Sequence, residues 1–348
     1  MTNPSMPKDT RRLRAAVIGA GITGRNHASV LADYHRSELL AVCSRQAAAA
    51  ASLAQKYAAP HMFTDYRELL RLPELDAVII ATPDFAHHEL AVAAAQAGKH
   101  VLIEKPMTTD LAQADHIVAE VRRAGVAGMT LFSHRWVPAY YQARQRVASG
   151  ELGRPLTAYA RKNDIISVPT EMISWAAQTT CACFLSSHDI DLLTWYMEDE
   201  PVEVRASGTR QVLLKHGLDT YDAIQALVQF KSGASAVFES GWVYPNTFPT
   251  LVDSWIALTC EHGVIQLDRQ QKQLQVASPQ RFDYPRSLLL LEMTGHPQGA
   301  VRQAITHWVD CALDGEPPLI ALEHSRQVTA ILDALHRSLA SGQSARVD

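Results

Sequence analysis

Up to about residue 135 the chain repeats one pattern, a short and nearly continuous apolar run followed by a stretch of helical period. The apolar runs are RAAVIGAG (14–21), ELLAVCSR (38–45), DAVIIATP (76–83), HVLIEKP (100–106) and VAGMTLFSHR (126–135). Between them lie the helix formers QAAAAASLAQKYA (46–58), HHELAVAAAQAGK (87–99) and LAQADHIVAEVRRAG (111–125). The last two close on Gly98 and Gly125, where a helix stops. Strands without polar alternation are buried on both faces, which requires a parallel sheet covered by helices. Right-handed crossovers then predict an α/β, doubly wound Rossmann sheet over residues 12–135.

The pattern changes after about residue 150. RPLTAYARKND (154–164), PVEVRASGTRQVL (201–213), YDAIQALVQFKSGASAVFESGWVY (221–244) and WIALTCEHGVIQLDRQQKQLQVAS (255–278) read as longer strands. KSGA and EHGV are hairpin-type connections. Two amphipathic helices separated by EPPLI end the chain. Residues 136–348 are therefore expected to form a second, α+β domain on an antiparallel sheet, joined compactly to the first.

With 348 residues, 47% hydrophobic and 20% charged, the chain is long enough for two sizeable cores. A net charge of −4 lacks the basic surplus of a nucleic-acid binder, and no apolar run reaches bilayer length. Residues 1–14 are expected to be a disordered lead-in. RRLRAAVIGAGITG resembles a twin-arginine signal, but its glycine pattern fits a folded strand better. The five cysteines are scattered, and the C-x-C of Cys181 and Cys183 lacks the second pair of a zinc site, so no metal is expected. Free thiols suggest a reducing, cytoplasmic location.

GAGITG places Gly19, Gly21 and Gly24 in the spacing G-x-G-x-x-G, after a strand and at the start of a helix. The first glycine permits a tight turn, the second admits a pyrophosphate, and the third lets helix and strand pack closely. The first-turn residues Ile22 and Thr23 lend backbone N–H donors to the phosphates. An acidic residue for the ribose 2′-hydroxyl of NAD is expected about twenty residues on, where Ser44 and Arg45 stand instead. A hydroxyl followed by a guanidinium suits a 2′-phosphate, so NADP is favoured over NAD. Thr82 and Pro83, in ATPDFAHH, are expected beside the nicotinamide half, with His87 as a further cofactor contact. IEKPM places Glu104 and Lys105 at the end of a parallel strand, where open α/β sheets bind ligands. A partly desolvated lysine there can hold a substrate hydroxyl or relay its proton.

GAGITG, ATP, EKP and SHDID together resemble the Gfo/Idh/MocA family of NAD(P)-dependent oxidoreductases, over nearly the whole chain. FSHRWVPAYYQARQRVASGELGRP (132–155) is similar to the family's segment joining the domains, and places Arg135 near the cofactor. The resemblance implies a Rossmann domain, a C-terminal domain on a large, mostly antiparallel open sheet, and a homodimer or homotetramer formed through that sheet. It implies a small-molecule substrate, a sugar, cyclitol or derivative, oxidised or reduced at a hydroxyl or carbonyl carbon. In the family the lysine of EKP, here Lys105, works with a histidine, here His188, and with an aspartate four residues before it. Phe184 occupies that last position.

His188 is expected at a helix N-terminus, where its cation is disfavoured and a neutral ring is ready to accept a proton. Asp189 or Asp191 stands close enough in sequence to orient it, though early-helix service suits them too. Lys105 would stabilise the developing alkoxide. Phe184, with Trp175 and the aromatics of 240–255, suggests a less polar substrate surface. Arg161 and Lys162 are candidates to meet a hydroxyl or carboxylate. Two other readings stay open: a sensor that binds the dinucleotide without turnover, and an enzyme that uses it transiently in glycoside elimination or hydrolysis.

Overall fold

A computed structural model of the chain describes residues 11–269, 276–278, 282–284 and 289–348. Residues 1–10 of the expected 1–14 lead-in and the middle of the 255–278 run, residues 270–275, lie outside the described residues, whereas Leu13 and Arg14 of that lead-in already belong to the first strand.

The N-terminal sheet holds β1 (Leu13–Ile18), β2 (Ser37–Cys43), β3 (His61–Phe63), β4 (Ala77–Ile80), β5 (His100–Ile103) and β6 (Gly128–Thr130). Their spatial order is β3-β2-β1-β4-β5-β6, and every pairing is parallel. The order reverses between β1 and β4, which opens a crevice at their carboxyl ends. Alternate residues of the central strands feed two cores. Val17, Ile79 and Leu102 lie in one, and Ile18, Val78, Ile80, Val101 and Ile103 in the other. The covering helices are α1 (Ile22–Asp33), α2 (Ala47–Lys56), α3 (Tyr66–Leu70), α4 (His87–Gln96) and α5 (Leu111–Ala124).

α5 illustrates why such a segment is helical. Asp110 accepts a hydrogen bond from the Gln113 backbone N–H and caps the start, and Gly125, at φ 65°, ends the helix. Ala114, Ile117 and Val121 form its buried stripe. Burying an Ile or Val side chain of this kind contributes about 1.5–3 kcal/mol. β3 is a three-residue edge strand, too short to leave a pattern in the sequence. The expected strand 126–135 is shorter than its apolar run. It stops at Thr130, and residues 133–136 form a 3-10 turn that carries Ser133, His134 and Arg135 into the interior.

α6 (Pro138–Ala148) leads to the second sheet. That sheet contains β7 (Pro155–Ile165), β8 (Pro201–Thr209), β9 (Ala223–Phe230), β10 (Ser235–Tyr244), β11 (Val252–Cys260) and β12 (Val264–Asp268). Its order is β12-β11-β7-β10-β9-β8, with the terminal strand Ala345–Arg346 beyond β8. Only β7 and β10 pair in parallel among these neighbours. The β9–β10 hairpin turns through Gly233 at φ +92°. β9 alternates as a half-buried strand should, with Ile224, Ala226, Val228 and Phe230 inward and Gln225, Leu227 and Gln229 outward.

α7 (Ser187–Met197) packs on the inner face of this sheet, and the short α8 (Val212–Lys215) follows β8. The last helices, α9 (Ala300–Asp314) and α10 (Leu322–Ser341), belong to both halves of the molecule. α9 packs on α1, while α10 touches β8 and α7 on one side and α5 and β6 on the other. Leu322, Val328, Ala330, Ile331, Leu332, Ala334 and Leu335 bury more than one face of α10, as a helix between layers requires.

Candidate active site

The turn from β1 to α1 separates its three glycines by what surrounds them. Gly19 sits at φ +112°, and a Cβ there would lie 2.2 Å from the Ala81 carbonyl oxygen. A Cβ on Gly24 would lie 1.9 Å from the Gly19 oxygen. Both positions are closed by the protein itself. A Cβ on Gly21 would meet nothing within 4 Å, so this backbone faces open space. Gly21 is also the N-cap of α1, with no side chain satisfying the first-turn N–H groups and with Ile22 exposed beside it. Thr82 follows β4 and borders the Gly19 turn, and its Oγ1 is buried without a hydrogen-bond partner among the described residues. An open glycine, donor-rich helix start and orphaned hydroxyl fit a dinucleotide laid across the switch point. At the end of β2 the Ser44 hydroxyl accepts from the Gln46 N–H, and Arg45 is exposed.

Two of the expected cofactor contacts are occupied in other ways. His87 is 1% exposed, with Nδ1 2.8 Å from the Pro106 oxygen and Nε2 2.9 Å from the Thr82 oxygen. It braces the loop after β4 against the loop after β5, so its ring has no nitrogen left for a ligand. Glu104 is similarly engaged. His27 of α1 approaches its Oε1 at 2.8 Å, and the Lys105 N–H donates to its Oε2 at 3.0 Å. Burial pushes the Glu104 carboxyl up, but the His27 hydrogen bond and the charges of His27 and Lys105 outweigh it and hold it below its ordinary value. Glu104 therefore ties the loop bearing Lys105 to α1.

The Lys105 ammonium donates to the Phe184 backbone carbonyl at 2.6 Å and lies 4.4 Å from the centre of the Phe184 ring. Burial lowers its pKa below the usual lysine value, against the opposing charges of Glu104, Asp84 and Asp164. His188 lies four residues further on. It is not at a helix N-terminus, because Ala182–Ser186 form π-helical turns continuous with α7. Its pKa is held well below 6.5 by burial first, then by the charges of Lys105, Lys162 and Arg269. The neutral ring expected from the sequence is present, for a different reason.

Neither neighbouring aspartate orients His188. Asp189 is ion-paired with Lys162. Asp191 takes a bidentate contact from Arg135, at 2.7–3.2 Å, and a 3.0 Å contact from His324. Arg135, expected near the cofactor, is 2% exposed and also lies over the Trp195 ring, so its guanidinium is engaged in the interior. What touches His188 is His134, stacked with ring centroids 4.0 Å apart and planes 19° from parallel.

The two candidates on β7 part company. Successive strand residues face opposite sides. Arg161 pairs with Asp253 and lies near Trp255 on the open face, away from the cleft. Lys162, with Asp164, faces inward toward α7 and Lys105. The period-2 pattern held this signal, since Ala158, Ala160, Lys162 and Asp164 share one parity and the first two are buried. His134 was hidden in a segment read as strand, and Arg269, just past β12, carried no motif at all. Phe184 joins an aromatic file from the surface to Lys105. Phe85 lies 6.4 Å from Trp175, Trp175 5.9 Å from Phe184, and Phe184 6.0 Å from the buried Trp242.

Comparisons with known proteins agree with the two-domain fold. A family model described as an oxidoreductase family with an NAD-binding Rossmann fold matches residues 13–132, and the GFO/IDH/MocA C-terminal domain matches 140–266. A scyllo-inositol 2-dehydrogenase (NAD(+)) from Bacillus subtilis is 30% identical over 89% of both chains. A 4-carboxy-2-hydroxymuconate-6-semialdehyde dehydrogenase from a Sphingobium species is 35% identical over 72% of this chain and 78% of its own. Among solved structures, scyllo-inositol dehydrogenase from Lactobacillus casei with bound NAD(H) and scyllo-inositol superposes with a TM-score of 0.82. It shares 21% identity, across 97% of this chain and 99% of that one, which speaks for the fold.

Proposed function

The chain belongs to the Gfo/Idh/MocA oxidoreductase family, and on that footing we propose that it oxidises a hydroxyl carbon, or reduces the matching carbonyl, of a sugar, cyclitol or derivative. The observation that carries the proposal is the Lys105–Phe184 contact at 2.6 Å, which joins the EKP loop to the segment bearing His188 beside the dinucleotide crevice.

A bound nicotinamide supplies the hydride acceptor or donor. Gly19, Gly21 and Gly24 shape the turn that takes the diphosphate, and the Ile22 and Thr23 N–H groups hold its charge. Thr82 and Pro83 border the nicotinamide half. Ser44 and Arg45 face the adenosine ribose, and the absence of a carboxylate there favours NADP. The Lys105 ammonium donates to the substrate oxygen as negative charge develops on it. His188 is neutral and takes the hydroxyl proton at Nε2, its Nδ1 being buried. Phe184 and Trp175 offer a flat apolar wall to the substrate.

The domain division at 135/136 follows the change from one sheet to the other. The open face of the second sheet, with Tyr159, Leu227, Val237, Trp255 and Val264, suits pairing into a homodimer or homotetramer. The five cysteines are free and buried, which suits a cytoplasmic protein, and no described helix is long and apolar enough to cross a membrane.

The test is NAD(P)+ reduction over a panel of sugars, cyclitols and sugar acids, with Lys105→Ala and His188→Ala as controls. Both variants are expected to lose turnover by about 10²–10⁴-fold while still binding dinucleotide. Tight dinucleotide binding with no turnover in either direction would instead favour the sensor, the reading that Phe184 in place of an aspartate supports.

A further inference from the structure

We propose that His134 is a positioning residue for His188, setting its ring plane by stacking, and that Arg269 fixes His134 for that task. The proposal rests on the reading of His188 as the proton acceptor.

A catalytic histidine is commonly oriented by a carboxylate or carbonyl at its second nitrogen. His188 has no such contact: its Nδ1 is buried without a hydrogen-bond partner among the described residues. Asp189 and Asp191 are turned to Lys162 and Arg135. Ring packing is what remains. His134 lies flat on His188 at 4.0 Å, and Phe132, two residues earlier, presents its edge at 6.3 Å and 76°. One short turn thus holds the imidazole by face and edge.

His134 is itself constrained. It is 1% exposed, with the Tyr140 ring 5.8 Å away, and its Nε2 lies 3.2 Å from Arg269 Nη1. A guanidinium only donates, so Nε2 accepts and the His134 proton sits on Nδ1. Burial disfavours the charged form of His134, as do His188 and the charges of Lys162, Arg269 and Lys105 around it. A neutral ring is the one that can lie against His188 without opposing the proton His188 is to receive. His134 Nδ1 is buried without a partner among the described residues. A phenylalanine could stack here as well, but only an imidazole can also be fixed in place by the Arg269 hydrogen bond.

Two measurements test this. The first needs no substrate. Long-range ¹H–¹⁵N spectra of ¹⁵N-histidine-labelled protein should show His134 neutral and Nδ1-protonated from pH 6 to 8, and Arg269→Leu should release it to a tautomer mixture. An Nε2-protonated or charged His134 in the wild type overturns the proposal. The second uses the best compound of the NAD(P)+ panel. His134→Ala should lower kcat at least about tenfold, with KM and dinucleotide affinity within about threefold, and His134→Phe should recover most of the loss by restoring the stack. If His134→Ala does not fold, His134→Leu replaces it, and His134→Phe must be the faster by about threefold or more. Equal rates for the stacking and non-stacking variants overturn the proposal. Unimpaired turnover in His188→Ala overturns the reading beneath it instead, and the spectra keep the two failures apart.

Discussion

Phe184 holds the Lys105 ammonium in two ways, through its backbone carbonyl at 2.6 Å and through its ring face at 4.4 Å. Both partners are neutral. A residue type that looks unsuited to a proton-handling site still fixes the lysine, but leaves its charge less stabilised than a carboxylate would. Phe184→Asp is expected to keep the backbone contact and add an opposite charge. That favours the ammonium, so the alkaline limb of the pH–rate profile should move up by about one unit. An unmoved limb would mean that Lys105 does not set it.

The glycine turn separates stability from binding. Gly24→Ala places a methyl 1.9 Å from the Gly19 oxygen and should lower the melting temperature sharply. Gly21→Ala meets no protein atom and should leave the melting temperature unchanged within about 2 °C, a stability change below about 0.5 kcal/mol. Its dinucleotide affinity should nevertheless fall at least about tenfold, because the methyl occupies the space the diphosphate needs. Calorimetry and dinucleotide titration on the same two variants read both quantities. Normal binding by Gly21→Ala would place the diphosphate elsewhere.

Arg45 is exposed at the end of β2, so its replacement leaves the fold alone. Arg45→Asp removes the cation that suits a 2′-phosphate and supplies the carboxylate that suits a 2′-hydroxyl. NADP+ affinity should drop at least about tenfold, and NAD+ affinity should hold or rise. Parallel changes for both dinucleotides would argue that Arg45 does not read the ribose.

Stability should fall on acidification through the two stacked histidines. Burial holds His134 and His188 well below 6.5 in the folded chain, so stability is full above that pH. Below it the unfolded chain takes up protons that the fold refuses, at about 1.4 kcal/mol per pH unit for each histidine. His134→Phe removes one such site. Urea midpoints at pH 7.5, 6.0 and 5.0 should show a shallower decline for the variant, and parallel lines would mean that His134 is not neutral in the wild type.

The fold was legible because its signals are local and repeated. Val17, Ile79 and Leu102 lie in runs with no polar alternation, which only a sheet covered on both faces accommodates, while Gly19 is demanded by its own φ of +112° and Gly24 by the Gly19 backbone in the same turn. The pairing of Lys105 with His188 across the chain came from a family pattern, and the fold sets Lys105 against Phe184, four residues before His188, where its charge acts on that ring. The sequence could not say what orients His188. The aspartates adjacent in the chain, Asp189 and Asp191, point to Lys162 and Arg135, while the contact is His134, more than fifty residues away. Nor could it say that Lys162 faces the cleft and Arg161 does not, until the sheet gave β7 an inside and an outside. Local composition dictates which segments become strands and helices. Which polar groups meet inside is decided by how two sheets and their shared helices close over one another, because a buried charge must find its partner wherever the packing leaves one.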